Sequence, residues 1–144
     1  MTIDIQWDKR FEVGHLRIDH EHQVFLDLIR SVSQASESNE PKIWCLRLLN
    51  EVKKYADFHF FSEENLMLRV GYPDYPEHQK KHAELLALLD ERIHAYTTDR
   101  IELEAVVVYM FDWFAMHTTK MDKKLGKYIE LVQREQLANQ SSEI

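Results

Sequence analysis

The chain has 144 residues, enough for one domain with one sizeable core, and its 44% hydrophobic and 30% charged residues are typical of a globular protein. The net charge is −7, with 25 acidic and 18 basic residues, which argues against nucleic acid as a partner because phosphate binding needs a basic surface. Only three glycines and three prolines are present, which favours long helices. We find neither a signal-like core nor an apolar run long enough to span a bilayer, so we expect no membrane partner and a cytoplasmic location.

The N-terminal region lacks helical periodicity over residues 1–17, and we expect it to form an arm that packs across the rest of the domain. Helical spacing of apolar residues begins after this arm and predicts a first helix over residues 19–34, with Asp19 as its N-cap. The polar, serine-rich stretch over residues 31–39 is predicted to be a loop.

A second helix is predicted between Pro41, which suits a first helical turn, and Gly71, which suits a C-terminal stop. Cys45 lies among apolar residues and is expected to be a small buried side chain. Residues at steps of three or four predict the inward face of this helix. They are Trp44, Leu48, Val52, Tyr55, His59, Glu63 and Leu66.

A third helix is predicted from near Pro76 to about Tyr96, and Asp99 with Glu102 resembles a capping box that opens a fourth helix. The region after Asp122 stays compatible with helix to about residue 137. Long amphipathic helices with short connections predict an all-α, antiparallel up-down-up-down four-helix bundle over residues 1–138, with an N-terminal arm and a C-terminal helical extension. Residues 139–144 are expected to be a tail or the start of a linker.

Five histidines and two carboxylates lie on the apolar faces, with one donor group on each predicted helix. They are His22, the pair His59 and Glu63, the pair His78 and His82, and the pair His117 and Asp122. Residues four apart are neighbours on a helix face and can present two ligands to one point. A single inward histidine is more often a satisfied core residue, but the joint placement favours a two-metal site. Nitrogen-rich ligation suits iron better than magnesium or calcium.

The step from His117 to Asp122 does not suit a regular helix, because five residues turn the chain by about 140°. We therefore predict a helix irregularity between Thr118 and Asp122. Two other carboxylates, Glu21 and Glu64, fall off the ligand faces and are expected to face solvent. The remaining histidines are expected to be surface or supporting residues; they are His15, His20 and His94.

Five motifs recur in one known family and cover about residues 5–132. They are Trp7 followed by Val13-Gly14, Ile18-Asp19-His20-Glu21-His22, His59-Phe60-x-x-Glu63-Glu64, Tyr72-Pro73 leading to His78-x-x-x-His82, and Asp112-Trp113 leading to His117-x-x-x-x-Asp122-Lys123. On these motifs the chain resembles the hemerythrins, in particular the bacterial single-domain type, the bacteriohemerythrins.

The resemblance implies two iron ions in an oxo- or hydroxo-bridged centre that reversibly binds O2 or another small diatomic ligand. It implies that one iron is held by His78, His82 and His117 and the other by His22 and His59, with Glu63 and Asp122 as bridges. It also implies a ligand pocket, which we expect to be lined by Phe25, Phe60, Trp113, Phe114 and Thr118. The same aromatic residues would also suit an ordinary core.

Thr118 departs from the family pattern, in which a bulky aliphatic residue is common at this position. Its hydroxyl could donate a hydrogen bond, admit water or bond back to its own helix. Three functions remain open for the chain. The first is a non-enzymatic O2 carrier or store, and the alternative is a sensor domain that controls an attached diguanylate cyclase or chemoreceptor. An enzyme that consumes peroxide or repairs iron centres ranks last, because we find no further acid, base or reactive cysteine in the expected pocket.

Overall fold

The computed structural model describes residues 4–142, and over that range the chain is helical with no strand. Its elements are a 3-10 turn at Lys9–Phe11, α1 at Leu16–Glu37, α2 at Lys42–Val70, α3 at Tyr75–Thr97, α4 at Leu103–His117, a π-helical segment at Thr118–Asp122 and α5 at Lys123–Ser142. None of the helices described is both long and apolar enough to cross a membrane.

Four helical rods form the bundle. Three are α1, α2 and α3, and the fourth consists of α4, the π-helical segment and α5, which follow one another without a break. The α1 helix packs on α2 and α4, and α3 packs on the same two helices from the opposite side. The connections between the rods are short, as an antiparallel arrangement of neighbours requires. The predicted four-helix bundle is therefore confirmed.

The N-terminal arm packs on the bundle as predicted, although Met1 to Ile3 lie outside the described residues. Phe11 is fully buried, and its ring lies 5.2 Å from that of Phe114, between ring centroids. Trp7 packs against Phe11 in turn, at 6.0 Å between centroids. The arm thus closes one side of the bundle near the C-terminal half of α4.

The start and the end of α1 both differ from the prediction. Asp19 is not the N-cap: His15 caps the helix, with its Nδ1 accepting from the Ile18 amide at 3.3 Å. The Asp19 carboxylate instead accepts the amides of Val13 and Gly14, at 2.8 and 3.2 Å, and so ties the arm to the first turn. The predicted loop over residues 31–39 is also wrong for residues 31–37, since α1 continues to residue 37 with half-buried serines and with its apolar residues in the core. Residues 38 and 39 form a turn, as predicted.

The α2 helix ends as predicted at Gly71, whose φ of 65° is the left-handed conformation that glycine adopts at low cost. Cys45 is buried, as predicted. Trp44, however, was expected to point inward and is 47% exposed. The buried face of the first turns is offset by one residue, with Cys45 and Leu49 pointing into the core.

The predicted capping box at the start of α4 is wrong. Asp99 adopts a left-handed φ of 60° and closes the C-terminal end of α3, with its amide donating to the Tyr96 carbonyl at 3.1 Å. Its carboxylate pairs with Lys42 at the start of α2. The α4 helix begins only at Leu103, with Glu102 at the N-cap position and no side-chain cap hydrogen bond.

The α5 helix extends to Ser142, five residues beyond the predicted end near residue 137. Leu125 and Ile129 are buried against the bundle, whereas nearly all later residues up to position 140 are exposed. The predicted tail or linker over residues 139–144 is thus helical as far as it is described, and residues 143 and 144 lie outside the described range. The division of the chain at residue 138 stays a prediction.

Candidate metal centre

The backbone leaves the regular α-helix between His117 and Asp122, as the five-residue spacing predicted. Residues Thr118–Asp122 form a π-helical segment. The wider turn brings both side chains to the same point, with His117 Nε2 at 3.1 Å from Asp122 Oδ1. A single-turn π-helix inside an α-helix is a feature often found at functional sites.

The structure brings all seven predicted metal-site side chains into one buried cluster in the bundle core. Each of the four helical rods contributes to it. The members are His22 from α1, His59 and Glu63 from α2, His78 and His82 from α3, His117 from α4 and Asp122 from the π-helical segment. His117 is 6% exposed, and each of the others is at most 2% exposed. Water therefore has its nearest approach at His117.

The histidines form two groups whose ring nitrogens converge. His22 Nε2 lies 3.0 Å from His59 Nε2, and His78 Nε2 lies 3.1 Å from His117 Nε2. Two ligands held at right angles, each about 2.1 Å from one cation, are separated by about 3 Å. The spacing within each group is therefore that of nitrogens aimed at a shared metal ion, and His82 belongs to the second group.

Glu63 lies between the two histidine groups and turns one oxygen to each. Its Oε2 is 3.3 Å from His59 Nε2, and its Oε1 is 2.9 Å from His78 Nε2 and 3.2 Å from His82 Nε2. One carboxylate thus faces both candidate metal positions.

Asp122 divides its oxygens in the same way. Its Oδ2 lies 3.2 Å from His22 Nε2, and its Oδ1 lies 3.0 Å from His78 Nε2 and 3.1 Å from His117 Nε2. The two carboxylates are thereby shared by the two histidine groups, which is the arrangement of a pair of bridging ligands.

Electrostatics in the cluster favour charged carboxylates beside protonated His59 and His78 when no cation is present, whereas burial lowers the pKa of His117. Burial opposes the charged form of Glu63, but the surrounding histidines outweigh it and hold its pKa well below the usual range. Burial also opposes protonation of His59 and His78, yet their carboxylate partners raise the pKa of His59 to about 10 and that of His78 to about 9. Protons thus occupy nitrogens that a cation would need.

Glu21 was expected to face solvent, and the structure shows that this was wrong. It is buried, and its Oε1 lies 2.7 Å from His59 Nδ1, the ring nitrogen opposite the cluster. Its Oε2 accepts from Ser62 at 3.0 Å and from Arg17 at 3.0 Å. A carboxylate on the outer nitrogen of a metal-binding histidine fixes the tautomer and the ring orientation.

Glu64 was also expected to face solvent, and this expectation is wrong as well. Its Oε2 lies 2.8 Å from His82 Nδ1, and its side chain is only 16% exposed. Each histidine group therefore contains one ring whose Nδ1, the nitrogen facing away from the cluster, contacts a glutamate. The residues just before His22 and just after Glu63 supply these glutamates, and their spacing alone gave no sign of it.

The expected pocket residues surround the histidine rings. Phe60 stacks on His82, with ring centroids 4.1 Å apart and planes 8° from parallel. Phe114 meets the His22 ring edge-on at 5.4 Å and stacks with Phe25 at 5.7 Å. These phenylalanines are buried, so they are part of the core as well as the apolar surroundings of the cluster.

Trp113 differs from the phenylalanines because it is only half-buried. It stacks on His117, with centroids 4.3 Å apart and planes 15° from parallel. Both residues line a groove of about 900 Å³ between α3 and α4, whose walls include Val108 and Met116. The indole of Trp113 therefore covers one face of the His117 ring, while His117 also borders the groove itself.

Thr118 is buried and begins the π-helical segment. The hydroxyl that bonds back to the preceding turn belongs to the next residue: Thr119 Oγ1 donates to the Ala115 carbonyl at 2.7 Å. Of the three remaining histidines, His15 caps α1, while His20 and His94 are exposed, as expected for surface or supporting residues.

A four-helix bundle with two histidine groups around two shared carboxylates defines a class of protein built to bind cations in its core. The sequence profile of the "Hemerythrin HHE cation binding domain" matches residues 14–129. The chain belongs to this hemerythrin family.

Individual relatives agree with this assignment. The bacteriohemerythrin of Ralstonia nicotianae is 27% identical over 126 residues, covering 87% of this chain and 88% of that protein. The hemerythrin of Themiste dyscrita is 29% identical over 118 residues, covering 82% of this chain and 88% of that protein. A crystal structure of wild-type hemerythrin superposes with a TM-score of 0.79 at 21% identity, covering 87% of this chain and 97% of that one, which shows the shared fold.

Proposed function

We propose that the chain holds two iron ions in its core and reversibly binds O2. The observation that carries the proposal is the division of the Glu63 and Asp122 oxygens between two histidine groups. That arrangement suits two cations that share both carboxylates. Imidazole-rich donor sets with few carboxylates suit iron better than magnesium or calcium.

The donor atoms fall into two unequal sets. Three histidines with one oxygen each from Glu63 and Asp122 give five donors at one position, namely His78, His82 and His117 with Glu63 Oε1 and Asp122 Oδ1. Two histidines with the other Glu63 oxygen give three converging donors at the second position, namely His22, His59 and Glu63 Oε2. Asp122 Oδ2 lies beside them, 3.2 Å from His22 Nε2, and would be a fourth donor. We infer that the second position has more room for an added ligand, because octahedral coordination takes six.

The charge of the cluster supports cations in the core. Two carboxylates at 0% and 1% exposure and five histidine rings lie in an apolar interior, where an isolated charge is strongly disfavoured. Two divalent cations with the two carboxylates and one hydroxide would leave the site with a net charge of +1, against +4 for the bare cations. The iron pair would supply the reversible redox chemistry of O2 binding.

The residues around the cluster would make this binding reversible. The rings of Phe25, Phe60 and Phe114 keep bulk water from the histidines, and Trp113 covers one face of His117. Apolar surroundings control solvent access and redox behaviour at a metal site. We therefore assign these residues, together with Thr118, to a ligand pocket that slows irreversible oxidation.

A direct experiment tests the proposal. The purified protein is analysed for metal, reduced without oxygen, exposed to O2 and followed by visible spectroscopy through several cycles of O2 addition and removal. We expect two irons per chain and a spectrum that appears and disappears reversibly. Zinc, or a single metal ion per chain, would contradict the assignment. Fast steady-state turnover of peroxide with a reductant would replace a binding role with an enzymatic one.

A sensor role is the second candidate, and the path of the C-terminal helix favours it. Asp122 ends the π-helical segment, and α5 follows directly and extends beyond the packed part of the bundle. A change at the metal centre would therefore act on a helix that continues toward the C-terminus. An open reading frame that continues past Ile144 into a signalling domain would support a sensor, and a stop codon there would favour a carrier or store.

A further inference from the structure

The groove between α3 and α4 has the size and lining of a small-molecule site. Its volume is about 900 Å³, and pockets of about 300–1,000 Å³ with mostly apolar walls typically hold small ligands. Two of its apolar side chains, Val108 and Met116, are 38% and 58% exposed. The half-buried rings of Tyr109 and Trp113 line it as well. The groove is therefore an apolar concavity with two aromatic side chains in its wall.

The charged side chains of this groove are distributed unevenly along it. Lys81 directly precedes His82, and Lys120 follows His117 by three residues. The rings of His82 and His117 lie 5.1 Å apart between centroids, so both lysines are at the end of the groove nearest the candidate metal centre. Three other charged residues line the groove farther along the two helices. They are Glu91, Arg92 and Asp112.

The acidic residues of the lining are too far from the two lysines to neutralise them. Along its helix, Glu91 lies about 15 Å from Lys81, and Asp112 lies about 12 Å from Lys120. Both distances exceed the Debye length of about 8 Å at physiological ionic strength. Glu84 contacts Lys81 at 3.4 Å, whereas Lys120 has no ion-pair partner in the described part of the chain. A protein with a net charge of −7 thus has a basic end to this groove.

An aromatic, apolar groove with a basic end is complementary to a planar aromatic molecule that carries an anionic group. The ring system of such a ligand would pack on the exposed part of the Trp113 indole, and its anionic group would lie near Lys81 and Lys120. Tyr109 also lines the groove, and its buried hydroxyl has no hydrogen-bond partner among the described residues. An acceptor atom on the ligand would satisfy this hydroxyl, which is costly to leave unpaired.

The place of the groove beside the metal centre indicates what this ligand would do. His117 borders the groove and belongs to the five-donor position, whereas the position with more room for O2 is at His22 and His59. A molecule in the groove is therefore kept from the O2 position but is linked to a ligand-bearing ring by Trp113, which stacks on His117 at 4.3 Å between centroids. Electrons can cross such a contact between two aromatic rings, and a molecule as large as an aromatic ligand does not need to.

We propose that this groove binds a reduced flavin mononucleotide, whose electrons pass through Trp113 and His117 to the metal centre. The electron transfer rests on the proposed function, whereas the binding site does not. The reduced flavin would release two electrons and two protons and become oxidised flavin. Two ferric ions would each take one electron, and the protons would pass to solvent through the open side of the groove. This reaction would return an oxidised centre to the ferrous form that O2 binding requires.

Calorimetric titration of the metal-loaded protein with oxidised flavin mononucleotide tests the binding site. Riboflavin is the matched control ligand, because it has the same ring system and no phosphate. We expect flavin mononucleotide to bind about three- to tenfold more tightly than riboflavin, as two exposed ion pairs would give. The double variant Lys81→Gln/Lys120→Gln is expected to abolish this difference, and Lys127→Gln, at an exposed position of α5, is expected to keep it.

Circular dichroism and metal content verify that these variants fold. Equal Kd values for the two flavins in the parent protein would overturn the anion site, and the absence of saturable binding would overturn the groove as a flavin site. These results do not depend on which metal the core holds, so they decide the binding site even if iron and O2 binding are disproved.

Stopped-flow reduction of the oxidised, iron-loaded protein without oxygen tests the electron route. The limiting rate at saturating reduced flavin mononucleotide separates electron transfer from binding. Trp113→Leu is expected to lose most of this limiting rate, because it removes the ring between ligand and His117, whereas Trp113→Phe keeps a ring and is expected to retain most of it. A limiting rate in Trp113→Leu equal to that of the parent would overturn the route through Trp113.

Discussion

The carboxylate of Glu21 lies 2.7 Å from Nδ1 of His59 and reaches the ring from the side opposite the cluster. Because it fixes the orientation of a candidate ligand, we expect Glu21→Ala to lower iron affinity by about 10- to 100-fold. Glu21→Gln keeps an acceptor oxygen beside the ring and is expected to lose less iron affinity than Glu21→Ala. Competition with a chelator, followed by iron analysis, measures both effects.

The matched control for this prediction is Glu37→Ala, which removes an exposed glutamate at the end of the same helix. It is expected to leave iron affinity unchanged. Equal losses in Glu21→Ala and Glu37→Ala would show that the effect is on the fold in general. An unchanged affinity in Glu21→Ala would remove Glu21 from the metal centre.

Stability of the metal-free protein should fall as the pH rises. The pKa of His59 is raised to about 10 and that of His78 to about 9, from about 6.5 in the unfolded chain. A group with a raised pKa in the folded state contributes stability that is complete below the unfolded pKa and is lost as the pH passes the folded pKa. We therefore expect the melting temperature of the metal-free protein to decline from about pH 6.5 to about pH 10.

Metal binding should show the opposite dependence on pH, because ligand nitrogens must lose protons before a cation can bind. Iron retention is expected to decrease toward acidic pH. Thermal unfolding of chelator-treated and metal-loaded protein, measured over the same pH series, tests both trends. Glu21→Ala serves as the comparison, since removal of that carboxylate lowers the pKa of His59 and should flatten the decline for the metal-free protein. A metal-free protein that gains stability between pH 7 and 9 would contradict the expected protonation.

The indole of Trp113 covers one face of His117, the most exposed residue of the cluster. Trp113→Ala would expose a further face of that ring to the groove between α3 and α4 and admit more water. We expect the oxygenated protein to oxidise irreversibly about tenfold faster or more, and decay of the oxy spectrum measures this rate. Val108→Ala is the control, because Val108 lines the same groove at a distance along α4. Equal lifetimes in both variants and the parent would show that the groove is not a route for water.

Thr118 offers a separate test of the pocket, because it is buried at the start of the π-helical segment. Thr118→Val removes the hydroxyl and keeps the shape, whereas Thr118→Ile also fills space. If the hydroxyl admits water, both variants lengthen the oxy lifetime; if open volume is the cause, only Thr118→Ile does. Lifetimes equal to that of the parent in both variants would remove Thr118 from the control of oxidation.

The sequence allowed prediction of the bundle and of the seven clustered side chains, because helical periodicity places i, i+4 pairs on one face. Even the π-helical segment was predictable, since His117 and Asp122 cannot share a point on a regular helix. Glu21 was not. On its own helix it lies about 100° from His22, which suggests solvent, and only the packing of α1 on α2 brings it to His59.

Helix ends were harder to predict than helix faces, for a similar reason. Asp19 and Asp99 are both residue types that commonly cap helices, but each satisfies other groups. Asp19 accepts two amides of the arm, and Asp99 takes a left-handed turn at the end of α3 and pairs with Lys42. Sequence preference indicates which residue types can cap a helix. Tertiary contacts decide whether a given aspartate caps the helix or binds other backbone groups.

Gly126 lies where the arm crosses α5, and its lack of a side chain permits this contact. A Cβ at this position would lie 2.2 Å from the Val13 carbonyl oxygen. In an unhindered helix, Gly→Ala stabilises by about 1 kcal/mol. We expect Gly126→Ala to destabilise the protein instead, by about 1–3 kcal/mol, because the backbone of the arm at Val13 must move away from α5. Gln133→Ala, at an exposed position of the same helix, should change stability by less than about 0.5 kcal/mol. Denaturant unfolding of the metal-loaded proteins measures these changes, and a stabilised Gly126→Ala variant would disprove the close packing of the arm on α5.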